Sequence, residues 1–105
     1  MSILGFTVFK DEILSGEKRQ TIRKASKIPT KVGDTLYLYW KLRTKQCELL
    51  KIAKCTGAIR LRYSDFCDNE DIARRDGFEN ATQMKEWFEK RYNPKPDDLF
   101  DIIRW

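Results

Sequence analysis

The order of hydrophobic and polar positions predicts strands and a short helix at the start of the chain. ILGFTVF is rich in β-branched and aromatic residues, which indicates a strand, and the following KDEILSG indicates a short helix that ends at Gly16. RQTIR predicts a second strand. The two-residue period of a strand places Thr21 and Arg23 on one face and Ile22 on the other, toward the core.

The middle and the end of the chain continue the strand pattern. TLYLYWKL alternates leucine and tryptophan with Tyr37 and Tyr39, which predicts a strand. CELLKIAKCTGAIRLRYSDF predicts two further strand segments, with Gly57 at a bulge or bend between them and with Arg60 and Arg62 on one face of the second. LFDIIRW predicts the last strand.

Two helices are predicted between these strands and the last one. DNEDIARRDG begins with Asp68 as a candidate N-cap and stops at Gly77. NATQMKEWFEKRY begins with Asn80 and Gln83 at the spacing of a capping box, and its Met and aromatic residues lie on one helical face. We interpret that face as one that packs on the core rather than as a ligand site.

These elements together predict an α+β fold, namely a small, mostly antiparallel β-barrel of five to six strands with two to three peripheral helices. A chain of 105 residues is long enough for one hydrophobic core but not for two, so we expect a single domain over residues 1–105. MSILGFTVFKDEI has neither a basic leader nor a long apolar segment, and no stretch approaches about 18 apolar residues. We therefore expect a cytoplasmic protein without a membrane partner, and a monomer.

The amino-acid composition limits which partners, catalytic groups and metal sites the chain can have. Lysine and arginine total 21 against 16 acids, and the net charge of +5 favours a polyanionic partner or serves only solubility. Histidine is absent, which excludes Ser/His and Cys/His catalytic pairs and His-ligated zinc. Three cysteines without CxxC spacing indicate buried thiols rather than a disulfide framework. We expect neither a metal nor a cofactor.

The segment GEKRQTIR concentrates cationic and hydroxyl side chains directly after the first helix. Lys18 and Arg19 at that position complement the negative end of a helix, so the simpler interpretation is a solvated turn. Two observations oppose that interpretation: the segment contains no acid after Glu17, and Thr21 and Arg23 share a face. Lys18 reaches that face only if the residues after Gly16 form a turn.

The same residues resemble the signature of a known family. The pattern F-x-x-x-I-L-x-G-x-K-x-x-T-x-R is similar to that of the ASCH family, named for activating-signal-cointegrator homology and related in fold to PUA domains. KVGDTLYLY, ARRDGF and MKEWFEKRY resemble later elements of the family in the same order, so the resemblance covers essentially the whole chain. In this chain the signature consists of Phe9, Ile13, Leu14, Gly16, Lys18, Thr21 and Arg23.

The resemblance implies a PUA-like barrel with a basic cleft that receives RNA or a nucleoside. Some small members remove an acyl group from N4-acylated cytidines with a lysine, a threonine and a glutamate, and ribonuclease activity also occurs in the family. By motif position these residues correspond to Lys18, Thr21 and Asp76, the last of which is shorter than glutamate by one methylene. The alternatives are a non-catalytic RNA-binding module and a ribonuclease that uses the same cleft.

The chemistry of these side chains agrees with the resemblance. A threonine hydroxyl is a weak nucleophile without a base, and a lysine whose pKa is lowered by burial and by cations can act as that base. Lys18 in its charged form can instead stabilise an oxyanion, and Asp76 is either a proton donor or only a helix-end residue. We expect phosphate and base contacts from a further set of residues: Arg23, Lys24, Tyr37, Tyr39, Arg60, Arg62 and Arg75.

Overall fold

The computed structural model describes residues 2–105, which form six strands and four helices. In chain order these elements are β1 (Ser2–Phe6), α1 (Lys10–Ser15), β2 (Gln20–Lys24), β3 (Thr35–Trp40), β4 (Glu48–Lys54), β5 (Gly57–Arg62), α2 (Tyr63–Phe66), α3 (Glu70–Arg75), α4 (Ala81–Tyr92) and β6 (Leu99–Arg104). The α+β class and the number of strands predicted from the sequence are confirmed. The segment YSDF, predicted as the end of a strand, is instead the short helix α2.

The strands form two three-stranded sheets, in the orders β1-β3-β4 and β2-β6-β5. Among the strands of residues 2–105, only β1 and β3 pair in parallel, so the prediction of a mostly antiparallel fold is confirmed. Within residues 2–105 no strand pairing joins the two sheets, so the closed barrel expected from the sequence is not formed. Alternating polarity predicts individual strands, but it does not determine which strands become neighbours.

The buried hydrophobic residues form two clusters, although the length of the chain predicted only one core, and β6 contributes to both, with Ile102 in one and Ile103 in the other. The core beside the second sheet contains aromatic residues from α2, α4 and β6, with Phe66, Phe88 and Phe100 almost fully buried. The core beside the first sheet is largely aliphatic and includes Leu36 and Leu38 of β3. The two cores meet where the end of β1 approaches β2 and α4, and this junction positions the site described below.

Local signals in the sequence determine where the helices begin and end. Gly16 follows α1 with a φ of 86°, as expected for a helix that stops at a glycine. The side chain of Asn80 accepts a 2.8 Å hydrogen bond from the Gln83 amide at the start of α4, which confirms the predicted cap. The N-cap of α3 is Asn69 rather than the predicted Asp68, because the Asn69 side chain accepts the Ile72 amide at 3.0 Å.

Two further findings concern partners. Among residues 2–105, no group of three or more Cys, Asp or Glu side chains is placed to hold a metal ion. None of the helices in that range is both long and apolar enough to cross a membrane.

Candidate functional site

A cavity of about 90 Å³ lies at the junction of the two cores. Its walls come from the residues after β1, from β2, from the end of α3 and from the last turns of α4. Lys18, Thr21 and Asp76, the residues expected from the resemblance to form the catalytic set, all line it, although Asp76 is distant in sequence from the other two. The remaining walls are formed by Gly5, Phe6, Thr7, Val8, Phe9, Ile22, Arg23, Phe78, Trp87, Arg91 and Tyr92.

Lys18 enters the cavity because the chain turns sharply after α1. Its amide donates a 2.9 Å hydrogen bond to the carbonyl of Glu12, which holds the turn after Gly16 against the helix. The ammonium donates to the backbone carbonyl of Asp76 at 2.5 Å and lies 3.2 Å from Oδ2 of the same residue. It also lies 4.9 Å from the centre of the Phe9 ring, and only 3% of Lys18 is exposed.

Asp76 lies directly after the last residue of α3. Its amide donates to the carbonyl of Ile72 at 3.1 Å, so the end of the helix fixes its backbone. Gly77 follows with a φ of 103°, and a Cβ at that position would lie 3.0 Å from the Phe9 ring. The aspartate is 6% exposed, and its Oδ1 has no hydrogen-bond partner among residues 2–105. One carboxylate oxygen therefore contacts Lys18, while the other is a buried acceptor in a residue that lines the cavity.

Burial shifts the pKa values of both Lys18 and Asp76. It lowers the pKa of Lys18 and raises the pKa of Asp76, while the charge of each partner opposes the shift of the other. Arg23 is close enough to lower the pKa of Lys18 further. The neutral pair, with an amine and a carboxylic acid, is therefore closer in free energy to the ion pair than it is in water. Such a pair can accept a proton at one atom and donate one at another.

Arg23 and Thr21 complete the polar part of the cavity from β2. Nη2 of Arg23 donates to the carbonyl of Gly5 at 2.6 Å, and the guanidinium lies 4.9 Å from the centre of the Phe6 ring. Nε of Arg23 has no partner among the described residues, and burial lowers the pKa of this side chain. Thr21 is 6% exposed, and within residues 2–105 no hydrogen bond joins its hydroxyl to Lys18 or Asp76.

Most of the other residues expected to bind substrate lie elsewhere. Tyr37 and Tyr39 occupy the face of β3 opposite the buried leucines and do not line the cavity. Arg60 is paired with Asp101 at 2.7 Å in a separate depression.

The remaining three predicted contacts are also outside the cavity walls. Arg75 forms an exposed ion pair with Asp71 at 3.0 Å, and exposed Arg62 ends β5. Lys24 lines a neighbouring depression, with its ammonium 5.5 Å from the centre of the ring of Tyr92, which lines the cavity. Of the cationic set, only Arg23 lines the cavity and only Lys24 adjoins it.

Sequence reasoning missed the contribution of α4. Trp87, Arg91 and Tyr92 line the cavity, although the aromatic stripe of this helix was interpreted as core only. Trp87 does pack on Phe78 and Phe88, so that interpretation describes one side of its ring. The available signal was Arg91, four residues after Trp87, because residues at that spacing are neighbours on a helix surface.

Comparisons with known proteins identify the fold. No protein-family model matches the chain, and no curated protein matches it. Among solved structures, the crystal structure of an ASCH domain from Lactobacillus crispatus JV V101 matches with a TM-score of 0.64 and 18% sequence identity. The match covers 98% of this chain and 77% of that one. This chain therefore has the fold of that ASCH domain.

Proposed function

We propose that the cavity binds the base of an RNA nucleotide or nucleoside and hydrolyses the amide of N4-acylated cytidine. The observation that carries the proposal is the buried Lys18–Asp76 pair, which opens onto the same cavity as the hydroxyl-bearing Thr21. A buried ion pair contributes little net stability, so a pair of this kind beside a cavity points to chemistry.

The size and polarity of the cavity support a small planar group. Its volume of about 90 Å³ is well below the 300–1,000 Å³ typical of pockets that enclose a whole ligand, so only the end of a molecule enters. Oδ1 of Asp76 accepts a hydrogen bond when ionised, and Nε of Arg23 donates one; both are buried without partners. An acylated exocyclic amine offers an N–H donor next to a C=O acceptor, which complements these two atoms.

The reaction follows from the protonation of the pair. In its neutral form, Lys18 takes the proton of the Thr21 hydroxyl as the oxygen attacks the acyl carbon. The resulting ammonium lies beside the oxyanion that forms there. The C–N bond then breaks, and the Asp76 carboxylic acid donates its proton to the departing nitrogen, which releases cytidine.

Water completes the cycle. It attacks the acyl ester on Thr21 and gives one proton to the Asp76 carboxylate, while the Lys18 ammonium returns its proton to the threonine oxygen. The carboxylic acid leaves, and the pair regains its starting protonation. The net reaction consumes one amide and one water, and no further reactant is needed.

Incubation with N4-acetylcytidine, followed by chromatography, tests the proposal. We expect cytidine and acetate in equal amounts from the parent protein and none from Thr21→Val, which keeps the size of the side chain but removes the nucleophile. Thr44→Val is a matched control, because Thr44 is exposed in the turn after β3. Equal turnover by the Thr21 variant would exclude this residue as the nucleophile.

A non-catalytic RNA-binding module is the second candidate, because the Lys18 ammonium contacts Asp76 and has no hydrogen bond to the Thr21 hydroxyl in residues 2–105. In that case the parent protein produces no cytidine but binds it, and Lys18→Met weakens that binding. Calorimetry with cytidine as the titrant separates the two candidates. A ribonuclease would instead shorten an unmodified RNA oligonucleotide, which gel electrophoresis detects.

A further inference from the structure

The mouth of the cavity carries a group of aromatic and cationic side chains that the proposed reaction does not use. We call these residues the rim platform: Lys24, Trp87, Arg91 and Tyr92. The guanidinium of Arg91 lies 5.4 Å from the ring centre of Trp87 and 5.7 Å from that of Tyr92. The ammonium of Lys24 approaches Tyr92 to 5.5 Å. Two cations thus converge on two adjacent rings.

The rings are anchored on the protein side and accessible on the other. Trp87 packs edge-on against Phe88, with ring centres 5.1 Å apart, and Tyr92 stacks on the same phenylalanine at 5.6 Å. Phe88 itself is 1% exposed, so the platform rests on the core. Trp87 and Tyr92 remain half-buried, while Lys24 and Arg91 are exposed. A ligand can therefore reach the platform without any rearrangement of the core.

The cations of the platform have no acidic partner. Neither Lys24 nor Arg91 lies within 4.0 Å of a carboxylate oxygen in residues 2–105, although Lys24 shares a depression with Asp97 and Asp98. Arg74 and Arg75, in contrast, pair with acids on their own helix. Unpaired cations beside exposed aromatic faces are typical of surfaces that bind single-stranded nucleic acid, where bases stack and phosphates contact lysine or arginine.

We infer that the rim platform binds the nucleotides that flank the base in the cavity, so that the ligand is a single-stranded polynucleotide rather than a free nucleoside. This inference rests on the proposed function, because the cavity must hold a base. The small volume of the cavity supports it: the sugar and phosphates of the bound nucleotide stay outside, next to Trp87, Arg91 and Tyr92. One flanking base stacks on a platform ring, and two phosphates contact Lys24 and Arg91.

The test compares the cytidine pentanucleotide with cytidine monophosphate, both measured by competition against a fluorescent pentanucleotide. For the parent protein we expect the pentanucleotide to bind at least about tenfold more tightly, since a stacked base alone contributes roughly 5- to 150-fold. In Lys24→Gln/Arg91→Gln this ratio should fall, because the two phosphate contacts are lost, while the stacking of the flanking base on a platform ring remains. The dependence of log affinity on log salt should become shallower by about 1.4, because each phosphate contact on a single strand contributes about 0.7.

The matched control is Lys85→Gln/Lys90→Gln, which removes the same charge from exposed positions of α4 outside the cavity. It should keep the parent ratio. Trp87→Leu should also lower the ratio and Trp87→Phe should restore most of it, which a loss of folding alone would not produce.

The outcomes are distinct. A parent protein that binds or hydrolyses the nucleoside but shows no preference for the pentanucleotide overturns this inference and leaves the proposed function intact. A control variant that loses as much of the ratio as the platform variant also overturns it, because general charge then explains the binding. If the parent protein neither binds nor hydrolyses any cytidine derivative, the proposed function fails, and this inference fails with it.

Discussion

Neutralising the buried Lys18–Asp76 pair one partner at a time should produce opposite dependences of stability on pH. The two single variants are Lys18→Met and Asp76→Asn, and the third variant carries both changes. Each single change leaves one charge in a site where the side chains of Lys18 and Asp76 are only 3% and 9% exposed. The double change removes both charges of the pair, so it should be much better tolerated than either single change.

The magnitude follows from the ordinary pKa values. In Asp76→Asn the remaining lysine escapes its burial cost by losing a proton, and at pH 7 this costs at most about 4.8 kcal/mol relative to its ordinary pKa of 10.5. In Lys18→Met the remaining aspartate takes up a proton, which costs at most about 4.4 kcal/mol relative to 3.8. Both ceilings agree with the roughly 3–5 kcal/mol lost when one partner of a buried pair is removed.

The signs of the two pH dependences differ. Burial without the carboxylate lowers the pKa of Lys18, so the unfolded state binds more protons below pH 10.5 and the stability of Asp76→Asn rises with pH. Burial without the ammonium raises the pKa of Asp76, so the folded state binds more protons above pH 3.8 and the stability of Lys18→Met falls with pH. Each slope approaches about 1.4 kcal/mol per pH unit relative to the parent.

Urea denaturation followed by tryptophan fluorescence at about pH 5, 7 and 9 measures these differences, and linear extrapolation gives the free energy of unfolding. Asp71→Asn is the control, because it removes the carboxylate of an exposed ion pair and should cost less than about 1 kcal/mol. The reasoning is refuted if the double variant loses the sum of the two single losses, since the partners would then not interact. Two slopes of the same sign would refute it equally.

Three further outcomes are expected. Asp76→Asn should lower kcat on N4-acetylcytidine by about 10² to 10⁴ while cytidine still binds, and Asp76→Glu should retain turnover; stopped assays on both variants check this. Iodoacetamide should modify only Cys47 in the native protein, because Cys55 and Cys67 are buried and burial raises the pKa of both thiols; mass spectrometry counts the adducts. Asn80→Ala should lower the free energy of unfolding by about 1 kcal/mol in urea, with Asn80→Asp as the conservative control.

The sequence predicted the features that depend on neighbouring residues. The stop of α1 at Gly16, the burial of Ile22 and the cap of α4 by Asn80 each follow from a few adjacent positions, and all three are observed. The parallel pairing of β1 with β3 and the open edges of the two sheets involve long-range contacts that no local pattern encodes. The closed barrel was therefore the part of the fold prediction that was wrong.

The residues of the candidate site also differ in whether neighbouring positions or long-range contacts determine them. Lys18 and Thr21 could be selected because they share a short segment, and Asp76 because a resemblance pointed to it. Its contact with Lys18 spans 58 positions of the chain, a separation that no spacing rule covers. Tyr39 and Trp87 show what periodicity alone cannot predict. Alternation and helical periodicity assign each to a face of its element, but they do not say what that face meets.

The position of the cavity explains how the fold supports an unfavourable group of polar atoms. A packed interior leaves few voids, and they occur where independently packed units meet. Phe6 belongs to the core of the first sheet and Ile22 to that of the second, and both line the cavity. The residues of the unpaired Oδ1 of Asp76 and Nε of Arg23 line this cavity and belong to neither hydrophobic core. The two cores supply the stability that the polar junction lacks.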